Sequence, residues 1–148
     1  MQQAHTVLVV FESERVREAV VAMLSTLDRF RVVGAAATRD QALDCARRER
    51  PDLAMIDQGL PDCGAWWLMN SLRQEHLARA LIGLGLRGTC REAVLAGAQG
   101  YVQVGVSPRE LVDALENALS RVELAAETEQ HLLSDADAVP VEPALVDF

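Results

Sequence analysis

Short apolar runs alternate along the chain with stretches in which apolar residues recur at helical spacing. The first run, residues 7–11, is continuous and rich in β-branched residues, as in a strand that is buried on both faces of a sheet. Comparable runs occupy residues 30–36, 53–56, 81–84 and 101–104. The pattern therefore predicts five strands separated by helices.

Three segments carry the signature of a helix N-terminus, in which Ser or Thr is followed three residues later by Gln or Glu; they begin at Thr38, Thr89 and Ser107. Two further helices are predicted. One is indicated by the apolar spacing over residues 16–27, and the other covers residues 65–74, after a turn-rich loop. Strands and helices that alternate through short connections need right-handed crossovers and a parallel sheet covered on both faces. We therefore predict an α/β fold, a doubly wound five-stranded parallel sheet with five helices.

In a sheet of this kind the functional site lies beyond the carboxyl ends of the strands, where the strand order reverses. The residues that the sequence places there are Phe11, Glu12, Asp57, Gly85 and Val104. We expect the functional site to be built from this set.

The regular pattern weakens after residue 124. From Ala125 onward the chain has six acidic residues and no Lys or Arg, and two prolines, Pro140 and Pro143, would break a helix. We interpret residues 1–124 as one domain and residues 125–148 as an acidic tail that is partly helical and then disordered. The alternative is that the apolar end of the tail docks on the domain or on a partner.

The composition excludes several classes of function. A net charge of −8 argues against binding to nucleic acid or to an anionic membrane surface. No apolar run is long enough to span a membrane and no secretory signal is visible, so we expect a cytoplasmic protein. The three cysteines and three histidines lack metal-ligand spacing, and all fourteen basic residues are arginines.

The order of elements resembles the receiver domain of bacterial two-component response regulators, as do residues 57–62 (Asp-Gln-Gly-Leu-Pro-Asp) and 96–102 (Ala-Gly-Ala-Gln-Gly-Tyr-Val). Residues 29–34 (Arg-Phe-Arg-Val-Val-Gly) are especially similar to the LuxR/NarL-type branch of that family. The resemblance covers residues 6–124 and implies a flavodoxin-like sheet. It also implies that Asp57 is the phosphoacceptor of a phosphorelay and that a histidine kinase or a downstream regulator is the partner.

The metal site that the family uses is incomplete in this sequence. The resemblance implies two acidic residues after strand one, and here Phe11 stands at the first position while only Glu12 matches. Mg²⁺ would then depend on Glu12, Asp57 and the backbone carbonyl of Gly59, a weak set of ligands. Asp57 itself is interpreted either as a surviving phosphoacceptor or as an inherited acid that caps its own loop.

Two further contacts with a phosphoryl group are missing. Gly85 replaces a Ser or Thr hydroxyl, and Val104 replaces a lysine for which the chain has no substitute. Loss of one preorganised donor in such a site lowers the rate about 10²–10³-fold. The link from that hydroxyl to the switch aromatic, Tyr101, is lost as well, so we expect very slow phosphorylation and weak coupling.

We therefore predict an atypical, stand-alone receiver that is not an enzyme, needs no cofactor, and acts as a protein-interaction module largely independent of phosphorylation. The first alternative is a slow, Mg²⁺-dependent phosphoacceptor that uses Asp57. The second is a pseudo-receiver that binds a small ligand in a pocket lined by Phe11, Gly83, Gly85 and Val104.

Two surfaces are candidates for partner binding. Trp66 and Trp67 are adjacent at the start of the third helix, so one of them is expected to be exposed. The second surface is the face through which receivers pair, and it would support a homodimer. Its residues here are Arg91, Tyr101, Arg109 and Glu116.

Overall fold

A computed structural model describes residues 4–85, 97–103 and 107–134. Its five strands are β1 (His5–Val10), β2 (Phe30–Ala36), β3 (Leu53–Asp57), β4 (Ala80–Gly85) and β5 (Gly100–Gln103). They form one sheet of order β2-β1-β3-β4-β5, and every pair of neighbouring strands is parallel. The order reverses between β1 and β3, as the sequence predicted for a flavodoxin-like sheet.

Four helices lie within the described residues: α1 (Glu14–Ser25), α2 (Arg39–Glu49), α3 (Gly64–Gln74) and α4 (Pro108–Ser134). The helix predicted to begin at Thr89 falls outside them. The predicted fold class is confirmed. Helix α4 continues past residue 124, so the proposed boundary between domain and tail lies inside a helix. None of the described helices is long and apolar enough to cross a membrane.

Side chains alternate along the strands and divide the core into two layers, one on each face of the sheet. On β1, Leu8 and Val10 point into the layer beneath α2 and α3. Val7 and Val9 point into the layer beneath α1 and α4. All four side chains are fully buried, which explains why the strand is apolar at every position.

The helix starts follow the chemistry predicted from the sequence. Thr38 Oγ1 accepts a hydrogen bond from Gln41 N at 3.2 Å, and Gln41 Oε1 accepts one from Ala37 N at 3.0 Å. Ser107 Oγ accepts from Glu110 N at 3.2 Å and donates to Glu110 Oε1 at 3.3 Å. The bonds donated by Gln41 N and Glu110 N satisfy backbone donors that the first turn of a helix leaves unpaired.

An irregularity in β2 brings a glycine against a cysteine of α2. The register between β1 and β2 skips Val33, because Val7 pairs with Val32 and Leu8 with Gly34. Cys45 Sγ lies 3.9 Å from the Val33 carbonyl oxygen. A Cβ atom added at Gly34 would lie only 2.1 Å from Cys45 Sγ, so the helix approaches the strand closely only because residue 34 has no side chain.

We expect Gly34→Ala to destabilise the protein by about 1–3 kcal/mol through overpacking against the Cys45 sulfur. Cys45→Ala removes that sulfur at a cost on the order of 1 kcal/mol. The double variant should be less destabilised than the sum of the two, and urea unfolding of all four proteins measures the difference. Strictly additive free energies of unfolding would contradict the packing described here.

Candidate functional site

The site predicted from the sequence lies at the carboxyl edge of the sheet. Asp57 ends β3 and pairs with Leu84 of β4. Gly85 ends β4 and pairs with Gln103 of β5. Phe11 follows β1, and its N–H donates to the Ala36 carbonyl at 3.1 Å. The topology therefore brings the ends of three strands to one corner.

Phe11 is part of the core at this corner. Its side chain is only 2% exposed and belongs to the layer beneath α1 and α4. Arg17 of α1 holds the backbone that follows, because its Nη1 donates to the Phe11 carbonyl at 2.8 Å and lies 3.4 Å from the Glu12 carbonyl. A phenyl ring fixed in the core thus occupies the position where the resemblance implies a carboxylate.

The Asp57 carboxylate binds the backbone of its own loop. Its Oδ1 accepts a hydrogen bond from Gly59 N at 2.8 Å, and the Asp57 carbonyl accepts one from Leu60 N at 3.2 Å. This is an Asx turn, in which the aspartate replaces a backbone acceptor. A Cβ atom at Gly59 would lie 3.1 Å from Oδ1, so glycine suits the close approach. One carboxylate oxygen is therefore already in use, as in the loop-capping interpretation.

Glu12 and Asp57 line different clefts. Glu12 is exposed and lines a cleft of about 240 Å³ together with Arg39 and Asp62. Asp57 lines a separate cleft together with Phe11. Across residues 4–85, 97–103 and 107–134, no group of three or more His, Cys, Asp or Glu side chains is arranged to hold a metal ion.

The cleft beside Asp57 is mainly apolar and has a volume of about 430 Å³. It lies between α1 and the start of α4. Its lining consists of Phe11, Ser13, Arg15, Val16, Ala19, Val20, Met23, Asp57, Leu84, Gln103, Ser107, Pro108 and Leu111. A volume of this size is within the range of small-molecule sites.

The expected lining of this pocket was only partly correct. Phe11 does line it, but Gly83 and Gly85 are not among its described lining residues. The reason is strand alternation, since Leu81 belongs to the α2–α3 layer and Ile82 to the α1–α4 layer. Leu84 therefore shares the face of the cleft, whereas Gly83 and Gly85 lie on the other face. Val104 lies outside the described residues.

The two tryptophans differ in environment. Trp66 is 53% exposed, whereas Trp67 packs against the α2–α3 layer. The Arg39 guanidinium lies over the Trp67 ring, 4.8 Å from its centroid, in a cation–π contact. Trp66 is thus the side chain available to a partner.

Only part of the expected pairing face is described. Tyr101 is half-buried against the α2–α3 layer, and Arg109 is exposed in the first turn of α4. Arg91 lies outside the described residues. Glu116 forms an ion pair with Arg29, which immediately precedes β2. Its carboxylate is therefore directed toward the α1–β2 connection.

Three contributors to this corner were not found from the sequence. Arg17 follows Ser13, the N-cap of α1, by one turn, but nothing in the sequence indicates that its guanidinium reaches back to the Phe11 carbonyl. Arg39, at the start of α2, contacts Trp67 of α3. The sequence predicts that Val16 lies on the apolar face of a helix, but the side chain is 42% exposed because it lines the cleft beside Asp57.

Residues 7–116 match the family model of the response regulator receiver domain. The chain therefore belongs to the response regulator receiver family. It is 26% identical over 120 residues to the nitrate/nitrite response regulator protein NarL of Escherichia coli (strain K12), covering 79% of this chain and 56% of NarL. It is 30% identical over 115 residues to the response regulator GacA of Pseudomonas viridiflava, covering 74% of this chain and 52% of GacA.

The chain thus spans about half the length of the curated relatives it matches. Among solved structures, it is similar to a two-component response regulator of the LuxR family from Aurantimonas sp. SI85-9A1. That match has 27% identity and a TM-score of 0.72, with 79% of this chain and 86% of the other covered. The fold is also that of the chemotaxis response regulator CheY4 of Vibrio cholerae, at 22% identity, a TM-score of 0.70, and 78% and 98% coverage. The resemblance to LuxR/NarL-type receivers is confirmed.

We expect the two described cysteines to react with maleimide at very different rates. Cys63 is exposed and precedes α3, whereas Cys45 is buried. Burial raises the pKa of the Cys45 thiol, and the nearby Arg48 offsets this by a smaller amount. Below its raised pKa the thiol stays protonated and unreactive. In a Cys90→Ser variant at pH 7.5, mass spectrometry should find rapid labelling of Cys63 and protection of Cys45 until urea unfolds the chain. Equal rates in native buffer would contradict this core.

Proposed function

We propose that this receiver acts as a protein-interaction module whose signalling is largely independent of phosphorylation, without catalysis of its own and without a required cofactor. The observation that carries the proposal is the burial of Phe11. Its ring is part of the core, so the first position after β1 offers a hydrated cation no carboxylate. The partners are other signalling proteins.

The remaining ligands suit Mg²⁺ poorly. Mg²⁺ prefers a near-octahedral set of oxygen ligands and is held through carboxylates. Here Glu12 and Asp57 line separate clefts, and one Asp57 oxygen already accepts a hydrogen bond from Gly59. This separation of the two carboxylates disfavours the slow phosphoacceptor alternative.

Gly85 supports the same proposal, because it affects how a phosphoryl group on Asp57 could act on the switch aromatic, Tyr101. A phosphoryl group on Asp57 would find no hydroxyl at the end of β4, because residue 85 has no side chain. A ligand shifts a conformational equilibrium only as far as its contacts differ between the two states. With this contact absent, phosphorylation would change little at Tyr101.

A second candidate function is the binding of an apolar ligand or side chain in the cleft beside Asp57. The observation that favours it is the apolar lining contributed by α1, β4 and α4 around a volume of about 430 Å³. Val16 forms part of this lining while 42% of it stays exposed. An apolar surface of this kind is a common binding site.

An amide NMR titration with Mg²⁺ followed by beryllofluoride, an acyl-phosphate analogue, tests the main proposal. We expect the resonances of Glu12, Asp57 and Tyr101 to stay unchanged through both additions. Shifts at these residues that Asp57→Asn abolishes would overturn the proposal and establish a working phosphoacceptor.

The matched control for this titration restores the missing groups by combining Phe11→Asp, Gly85→Ser and Val104→Lys. If these three positions are what prevents a response to beryllofluoride, the restored variant should respond to it. It should also react with acetyl phosphate at least about 10²-fold faster than the natural chain, because each preorganised contact contributes about 10²–10³. Circular dichroism verifies that the variant is folded.

The second candidate is tested with the neutral apolar fluorophore N-phenyl-1-naphthylamine. We expect its fluorescence to rise on binding in the cleft and to fall when Val16→Glu places a charge in the lining. Leu124→Glu is the matched control, since Leu124 is 61% exposed and does not line the cleft. Equal binding by both variants would exclude this site.

A further inference from the structure

A third cleft, of about 500 Å³, lies at the amino edge of the sheet, opposite Asp57. It is bounded by the α2–β3 connection, the α3–β4 connection, the residues before β5, and α4. Its lining consists of Arg50, Pro51, Arg73, His76, Leu77, Ala78, Arg79, Leu81, Gly97, Gln99 and Val122. No carboxylate is among these described residues, although the chain as a whole carries a net charge of −8.

The three arginines of this cleft are held in place by the surrounding backbone and side chains. Arg50 Nη1 donates to the His76 carbonyl at 3.4 Å. Arg73 Nη2 donates to Asn70 Oδ1 at 2.8 Å, and its stem lies against Gly97. Arg79 Nη1 lies 3.7 Å from Asp52 Oδ1. Arg50 and Arg73 have no carboxylate partner in the described structure, so the cleft retains positive charge.

The floor of the same cleft is apolar. Pro51, Leu77 and Leu81 line it and are themselves buried. A ligand that fits this surface would combine carboxylates for the arginines with small apolar side chains for the floor. An acidic peptide segment has this chemistry.

Helix α4 leaves the domain beside this cleft. Val122 lines it, and Arg121 Nη1 donates to the Gln99 carbonyl at 2.8 Å. Beyond Arg121 the chain contains no Lys or Arg. Residues 135–148, which lie outside the described part, contain Asp135, Asp137, Glu142 and Asp147 with apolar residues between them.

We propose that the acidic segment 135–148 binds the arginine-lined cleft of its own chain. The end of α4 at Ser134 is about 18 Å of helix beyond Val122, and fourteen extended residues reach up to about 46 Å, so the segment can return to the cleft. Tethering raises its effective concentration there without any new contact. Bound in this way, it neutralises the arginines and competes with any acidic partner for the same edge.

Paramagnetic relaxation enhancement in the full chain tests this proposal. A spin label is attached at Ala138→Cys in a Cys63→Ser, Cys90→Ser background, where the remaining Cys45 is buried. At low salt we expect the amide resonances of Ala78, Gly97 and Gln99 to broaden. At 0.5 M NaCl the broadening should be lost, because salt screens exposed charges.

Charge reversal identifies the cleft as the binding surface. Arg73→Glu with Arg79→Glu should abolish the broadening, whereas Arg15→Glu with Arg109→Glu makes the same charge change away from this cleft and should preserve it. If the first pair prevents folding, neutralising the segment instead gives the same test without altering a described residue. The changes are Asp135→Asn, Asp137→Asn, Glu142→Gln and Asp147→Asn.

Three results would overturn the proposal. The first is the absence of broadening at the cleft in low salt. The second is broadening that survives both the charge reversal and the neutralised segment. The third is broadening that appears when a spin-labelled chain is mixed with a separate ¹⁵N-labelled chain, since the segment would then bind a second copy.

Discussion

Two neighbouring interior strands of the sheet, β1 and β3, carry apolar side chains on both faces, and residues 7–10 and 53–56 are entirely buried. Such strands are stable only if helices cover both sides of the sheet. This requirement accounts for the two core layers and for the alternation of strands with helices. It also explains why the polar residues of β1 and β3 lie at the ends of these strands.

The same requirement explains the character of the corner around Asp57. The first residue after β1 still lies under α1 and α4, so an apolar side chain at this position packs into the core. In this chain that residue is Phe11, and its ring is part of the core. Among the described residues that line its cleft, Asp57 has no acidic neighbour, and one of its oxygens accepts a hydrogen bond from the Gly59 backbone.

The fold could be predicted because it depends on local signals that the sequence states directly. The run of apolar residues gave the bounds of β2. Helix-start chemistry gave the capping bonds of Thr38 and Ser107 and the start of α4 at Pro108. The corner that holds Asp57 followed from topology alone. The helix expected from Thr89 falls in a part of the chain that the structure does not describe.

The details of the site were harder to predict because they depend on long side chains that cross between elements. The reach of Arg17 to the Phe11 carbonyl and the pairing of Arg29 with Glu116 have no local signal. The misassigned lining of the cleft is different. Strand alternation alone puts Leu84 on one face and Gly83 and Gly85 on the other, so the sequence contained that information.

Helix α4 lines two of the clefts described above, the one beside Asp57 and the arginine-lined one. Its first residues, Pro108 and Leu111, lie at the cleft beside Asp57, and Val122 lies at the arginine-lined cleft. A single unbroken helix separates these residues by about 20 Å. An occupant that moves the helix at one end therefore alters the binding surface at the other. Because such coupling is reciprocal, binding at either edge of the sheet would change the binding affinity at the other edge, with no covalent change at Asp57.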